Sequence, residues 1–229
     1  MKKIFYFSSA NKYPEVLLQD INPLKQIKNT KGYNGCFAHK WSVINKFVYR
    51  SNLDLSFRIL HIGNEYKIDF IKPHAGHAFN LNLLNFRGVE AVNDSNPVFQ
   101  VDTDICFICK DKVFVEMQQH PDTPLNLKLV TGKFDISQWV RPLNCAFEIK
   151  NQHEEIKIKR GDPLAIIAFY SDKINDTFKL NKIKPSNELI NLSNTNTFTT
   201  SLVMHVKSLL PYGQTLLQKL IKENKHVQK

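Results

Sequence analysis

The stretch Gly132–Tyr170, GKFDISQWVRPLNCAFEIKNQHEEIKIKRGDPLAIIAFY, decides the fold. Cys145, Phe147 and Ile149 alternate with Ala146 and Glu148, and Ile156 and Ile158 alternate with Lys157 and Lys159. A period of two places one set on a buried face and the other on a wet one, which predicts two half-buried strands. Arg160-Gly161-Asp162-Pro163 then reads as a turn. Gly161 can supply a positive φ, and Pro163 can open a strand where its missing N–H does least harm. Leu164–Tyr170 is almost wholly apolar, as expected of a central strand buried on both faces.

The same grammar extends outward. Ile4–Phe7 reads as a first strand. Leu53, Leu55, Phe57 and Ile59 alternate with polar residues, Gly63-Asn64 marks a turn, and Tyr66, Ile68 and Phe70 form the returning strand. Pro97–Cys109 and Val113–Met117 flank Lys110-Asp111-Lys112 and read as a further hairpin, and Leu125, Leu127 and Leu129 alternate again. Strands every 8–15 residues without β-α-β alternation predict a mainly-β fold: an antiparallel two-sheet sandwich, jelly-roll-like, over residues 1–184. Phe37, Trp41, Ile44 and Phe47/Val48 recur at spacings of three and four, which predicts one short internal helix of about three turns. After Pro185 the chain turns rich in Asn, Ser and Thr up to residue 200. Leu202, Val206, Leu209 and Leu210, then Leu216, Leu217, Leu220 and Ile221, mark two helical stripes separated by Pro211 and Gly213. Residues 185–229 are therefore expected to form a helical appendage packed on the β domain, its stripes alternatively open to a partner subunit.

The chain has 229 residues, 42% of them hydrophobic, with sixteen phenylalanines, enough for a sizeable core and too apolar for a disordered chain. Its net charge of +10 raises the prospect of an anionic partner. Most of that charge is scattered lysine, and only Arg50, Arg58, Arg87, Arg141 and Arg160 carry the guanidinium that base-edge and phosphate recognition favours. Sequence-specific nucleic-acid binding is not expected, although the lysines could serve a weak polyanion binder. No apolar run reaches the roughly 18–20 residues of a membrane span, and the short run after Lys2-Lys3 lacks the core of a signal peptide. The expected setting is the cytoplasm, with Cys36, Cys106, Cys109 and Cys145 reduced, or a virion.

Several residue patterns carry candidate chemistry. His120-Pro121-Asp122 has the H-x-D spacing of the two-histidine, one-carboxylate triad that holds Fe(II) with open positions. His153 or His205 would complete it, and Arg160 or Lys157 would anchor a 2-oxoglutarate carboxylate. His74-Ala75-Gly76-His77 could hold a divalent metal, but the glutamate of a cupin pattern is missing. Cys106-Phe107-Ile108-Cys109 has C-x-x-C spacing, yet thiols three apart on a strand point to opposite faces, so buried structural thiols are expected. Asp102 and Asp104 share one face of a strand, with Glu116 on the expected hairpin partner. Trp139 and Arg141 read as a lid on the sandwich end, with the alternative of binding a planar ligand. P-loop, G-x-G-x-x-G, G-x-S-x-G and H-E-x-x-H motifs do not occur.

Tyr13-Pro14-Glu15, Asp54-Leu55-Ser56-Phe57, the Trp139-Val140-Arg141-Pro142 segment and Gly161–Leu164 together resemble a group of uncharacterised proteins of tailed-phage and bacterial genomes. The resemblance covers residues 1–180 and implies a phage origin and a compact β-sandwich; it supplies no catalytic residue. The resulting expectation is a non-enzymatic binding or assembly protein with no cofactor, acting through a protein partner or its own copies. The alternatives are a jelly-roll Fe(II)/2-oxoglutarate oxygenase using His120 and Asp122, and the polyanion binder.

Overall fold

A computed structural model describes residues 1–9, 22–23, 42–51, 54–62, 65–71, 90–93, 96–124, 126–151 and 154–199. These residues are mainly β, in three sheets, with a helix after the last strand. The strands are β1 (Lys2–Ser8), β2 (Asn22–Pro23), β3 (Lys46–Arg50), β4 (Leu55–Ile62), β5 (Glu65–Phe70), β6 (Glu90–Asn93), β7 (Asn96–Ile108), β8 (Phe114–Gln119), β9 (Leu127–Val130), β10 (Lys133–Asp135), β11 (Pro142–Ile149), β12 (Ile156–Ile158), β13 (Pro163–Tyr170) and β14 (Phe178–Lys182). The helix is α1, Asn187–Thr199.

A six-stranded sheet runs β14-β1-β7-β11-β9, with β6 also on β7; a five-stranded sheet runs β10-β8-β13-β3-β2; and β12-β4-β5 form a third. Among the described strands, only β1 and β14 pair in parallel, Lys2 opposite Phe178. All three sheets feed one hydrophobic core: Phe107 and Phe147 from the six-stranded sheet, Val115 and Phe169 from the five-stranded sheet, Phe57 and Ile158 from the third. The expected alternation of β11 and β12 is present, and β13, expected to be buried on both faces, is buried along all but its two end residues. Gly161 sits at φ 92° in the turn before it, the conformation that favours glycine.

Three expectations are corrected. The segment around Phe47/Val48 is strand β3, not helix. Asn45 stands in the left-handed region at φ 62°, and beyond it Phe47 and Tyr49 face the core while Val48 faces away, a period of two. Phe37 and Trp41 lie outside the described residues. Second, β7 and β8 are not a hairpin: β7 pairs with β1 and β11, and β8 with β13 and β10. Lys110-Asp111-Lys112 carries the chain from one sheet to the other, so that Phe107 and Val115 meet in the shared core and do not stand side by side on one sheet. Third, helix begins earlier than Leu202, in the polar stretch itself. The Ser186 hydroxyl accepts from Leu189 N at 3.3 Å as an N-cap, and Leu189 and Leu192 bury their side chains with Phe7, Cys106, Ile108 and Val140 on the far side of the six-stranded sheet. The stripes from Leu202 onward lie outside the described residues.

β7 and β11 pair through an irregularity: Pro142 opposes Cys106 and Asn144 opposes Asp102, so three residues of β7 face Leu143 alone. Buried Thr103 repairs the gap. Its Oγ1 donates to Leu143 O at 2.6 Å and accepts from Ile105 N at 3.2 Å. Removing that hydroxyl leaves two backbone groups unpaired at a buried site. Thr103→Val, which keeps the shape, should therefore lower the unfolding free energy by about 1–3 kcal/mol in a urea titration. Gly161→Ala should also shift the urea midpoint downward, by about 1 kcal/mol, because the turn needs a positive φ.

Candidate functional site

The strand period that puts Val115 and Met117 of β8 into the core turns Phe114, Glu116 and Gln118 to the opposite, outward face of the five-stranded sheet. Register aligns Tyr170 of β13 with Phe114, Ala168 with Glu116 and Ile166 with Gln118. Lys133 of β10 stands opposite Glu116, and Val48 of β3 opposite Ile166. One face thus gathers two rings, a lysine, a carboxylate and an amide, beside a buried apolar strip of Val48, Ile166 and Ala168.

These side chains engage one another. The Lys133 ammonium lies 5.3 Å from the Phe114 ring centre and 5.1 Å from that of Tyr170, and Lys112 lies 5.4 Å from Phe114. Such cation–ring contacts contribute about 0.5–1 kcal/mol each at exposed sites. The Gln118 amide donates to the Tyr170 hydroxyl at 2.8 Å and to Glu116 Oε1 at 3.0 Å. Burial, and next the Glu116 carboxylate, push the Tyr170 phenol above its usual range, so at neutral pH it is a hydrogen-bond donor and not a phenolate. The result is a prearranged surface of aromatic, cationic and hydrogen-bonding groups on a regular sheet. Its signal in the sequence is the alternation of Phe114, Glu116 and Gln118 with Val115 and Met117. The sequence alone could not show that β10 and β13 bring Lys133 and Tyr170 to the same place.

The His120–Asp122 pair is brought together just after β8, His120 Nδ1 lying 3.9 Å from Asp122 Oδ2. The turn uses the imidazole for itself: Asp122 N donates to His120 Nδ1 at 3.1 Å, and Thr123 N donates to His120 O at 3.1 Å. With Nδ1 accepting, the neutral ring carries its proton on Nε2, and ligation through Nε2 would require moving that proton to Nδ1 and breaking the turn. Asp122 points its carboxylate outward, 81% exposed. His153, His74 and His77 lie outside the described residues. Among the described residues, no group of three or more His, Cys, Asp or Glu is placed to hold a metal ion.

Trp139 and Arg141 stack on each other, the guanidinium 4.6 Å from the indole centre, while Phe134 packs edge-on against the indole at 5.7 Å. Arg141 also donates from Nε to Pro142 O at 3.4 Å. Cys106 and Cys109 diverge as expected, Cys106 toward α1 and Cys109 into the main core. Burial pushes the Cys109 thiol up to about 11 and the Cys145 thiol up to about 12, so both stay protonated and inert. Cys36 lies outside the described residues. Asp102 and Asp104 are on β7, whereas Glu116 belongs to the other sheet, so the expected carboxylate group on one hairpin does not form.

Compared with models of known protein families, with curated proteins and with solved structures, the chain matches none. No helix among the described residues is long and apolar enough to cross a membrane.

The buried His120 gives a pH test. Burial, and to a smaller degree Arg50, lower its pKa below the ordinary histidine value, against the opposing pull of Asp122. A lowered folded-state pKa means that the unfolded chain binds the proton more tightly, so stability is full above about pH 6.5 and is lost as pH falls through that value. The urea midpoint of the wild type should drop between about pH 7.5 and pH 5.5, and His120→Gln should remove most of that drop. An equal drop in the variant would contradict the assignment.

Proposed function

We propose that the protein is a non-enzymatic binding or assembly protein built as a β-sandwich, and that it meets an acidic protein partner through the outward face of its five-stranded sheet. The observation that carries this reading is the Phe114–Lys133–Tyr170 surface. Two cations sit over aromatic rings beside an orienting Gln118 amide, and no step of chemistry is needed to account for their arrangement. Aromatic anchors with an adjacent cation are the composition that dominates binding energy at interfaces. The net charge of +10 favours a partner of opposite sign over a second copy of the same chain. Potentially reactive groups elsewhere fit the same reading, because Cys109 and Cys145 are buried and protonated and the His120 ring is tied into its own turn. The resemblance of the Trp139–Pro142 and Gly161–Leu164 segments to phage proteins adds a viral setting.

Calorimetric titration of the full chain with polyglutamate, as a stand-in for an acidic surface, tests the reading. Lys133→Glu and Tyr170→Ala should each weaken binding about tenfold, the loss expected when an interface anchor is truncated. Lys184→Glu, the same charge change at an exposed lysine outside this face, should have a much smaller effect. Equal losses for Lys133→Glu and Lys184→Glu would assign the binding to scattered charge. Binding to duplex DNA that ignores Lys133 and Tyr170 but falls with salt would favour the polyanion reading instead.

A further inference from the structure

Two outer strands of the six-stranded sheet, β9 and β14, each meet a side-chain amide: Gln119 from the end of β8 and Asn45 from the residue before β3. At one margin, Gln119 at the end of β8 reaches across to β9: its Oε1 accepts from Leu129 N at 2.5 Å, and its Nε2 makes the longer 3.5 Å bond to Leu127 O. Leu127 N is taken by Pro124 O at 2.9 Å. These groups lie on the side of β9 away from β11, because the alternate residue Asn126 is the one whose carbonyl bonds toward the end of β11, at Lys150 N. At the other margin, β14 turns Thr177 O toward β1, where it accepts from Lys2 N, so the neighbouring Phe178 N points outward. Asn45 Oδ1 accepts from that N–H at 2.9 Å, and Asn45 Nδ2 donates to Asp176 O at 2.8 Å. In each case a primary amide presents one acceptor and one donor to a strand edge, as the peptide group of a further strand would.

We infer that Gln119 and Asn45 are edge-closing residues: they stand in for the next strand at β9 and β14, tie the two sheets together at these two strands, and keep the chain from adding strands of a second copy there. Open edges are the ordinary route to unwanted strand pairing, and natural β proteins block them. Asn45 is rigidly set, since its backbone carbonyl also accepts from Phe169 N at 3.0 Å and its φ is in the left-handed region that asparagine tolerates. Gln119 is exposed, whereas Asn45 also carries a backbone bond to β13, which makes the β9 margin the one to test.

The test compares wild type, Gln119→Ala, Gln119→Met and Gln119→Glu by native-state hydrogen exchange and sedimentation. Leu129 N–H should be protected in the wild type and exchange about tenfold faster in the Ala and Met variants, which have lost its acceptor. Both variants should sediment as larger, concentration-dependent species than the wild type. Gln119→Glu keeps an acceptor for Leu129 N but loses the donor to Leu127 O, so it should retain most of the Leu129 protection and, as a charge on the edge, the wild-type sedimentation. Should Gln119→Ala fail to fold, Gln119→Met keeps the length and packing of the stem and carries the comparison alone. Unchanged Leu129 exchange in both variants, or faster exchange with wild-type sedimentation, would overturn the edge-closing role.

Discussion

The structure hangs on one contact between sheets. Phe169 of β13 packs edge-on against Phe107 of β7, ring centres 5.3 Å apart, and touches Phe47 at 5.7 Å and Phe178 at 6.2 Å. It therefore joins both strands flanking the main interface and the terminal strand β14. A strand has only two faces, so fixing Phe169 inward fixes Ala168 and Tyr170 outward. A slip of one residue along β13 would bury the Tyr170 hydroxyl without the Gln118 amide and expose Phe169. The outward surface is thus a consequence of core packing, and no local feature of β10 or β8 could maintain it alone.

Around that contact the molecule satisfies its polar groups with side chains where regular pairing fails. Thr103 fills the irregular stretch between β7 and β11. Asn45 and Gln119 fill the outer edges of β14 and β9. The Lys2 ammonium, 2.7 Å from the Asp176 carboxylate, holds the loop before β14 against the first strand, and that bond keeps Asp176 below the ordinary carboxylate range. Three of these devices join segments distant in sequence, Thr103 to Leu143, Asn45 to Phe178 and Lys2 to Asp176, whereas Gln119 closes a local connection between β8 and β9.

Much of the β content was legible because burial on one face writes a period of two, as in Cys145-Phe147-Ile149 and Ile156-Ile158, and because Gly161-Asp162-Pro163 has turn chemistry. Pairing was less legible. Lys110-Asp111-Lys112 suits a hairpin and an inter-sheet crossing equally, and only the partners of β8 distinguish them. The helix expected through Phe47 stops short of it: Ser42 and Val43 are helical, but Asn45 at φ 62° ends the helical course and the chain continues as strand β3. That the C-terminal helical segment starts as early as Asn187 was missed because the Asn- and Thr-rich stretch has poor helix propensity, while its signal was the Ser186 cap followed by Leu189 and Leu192. Of the candidate site residues, neighbours in sequence such as His120 and Asp122 were found together, whereas Tyr170, Gln118 and Lys133 converge from three strands and left no local mark.

The most direct measurement is a double-mutant cycle on Phe107→Leu and Phe169→Leu, read by equilibrium unfolding. The pair should be coupled by about 0.5–1.5 kcal/mol, as expected of an edge-to-face aromatic contact within one core. A coupling energy indistinguishable from zero would mean that the two sheets do not meet through Phe169, and would remove the basis for the orientation of the outward face.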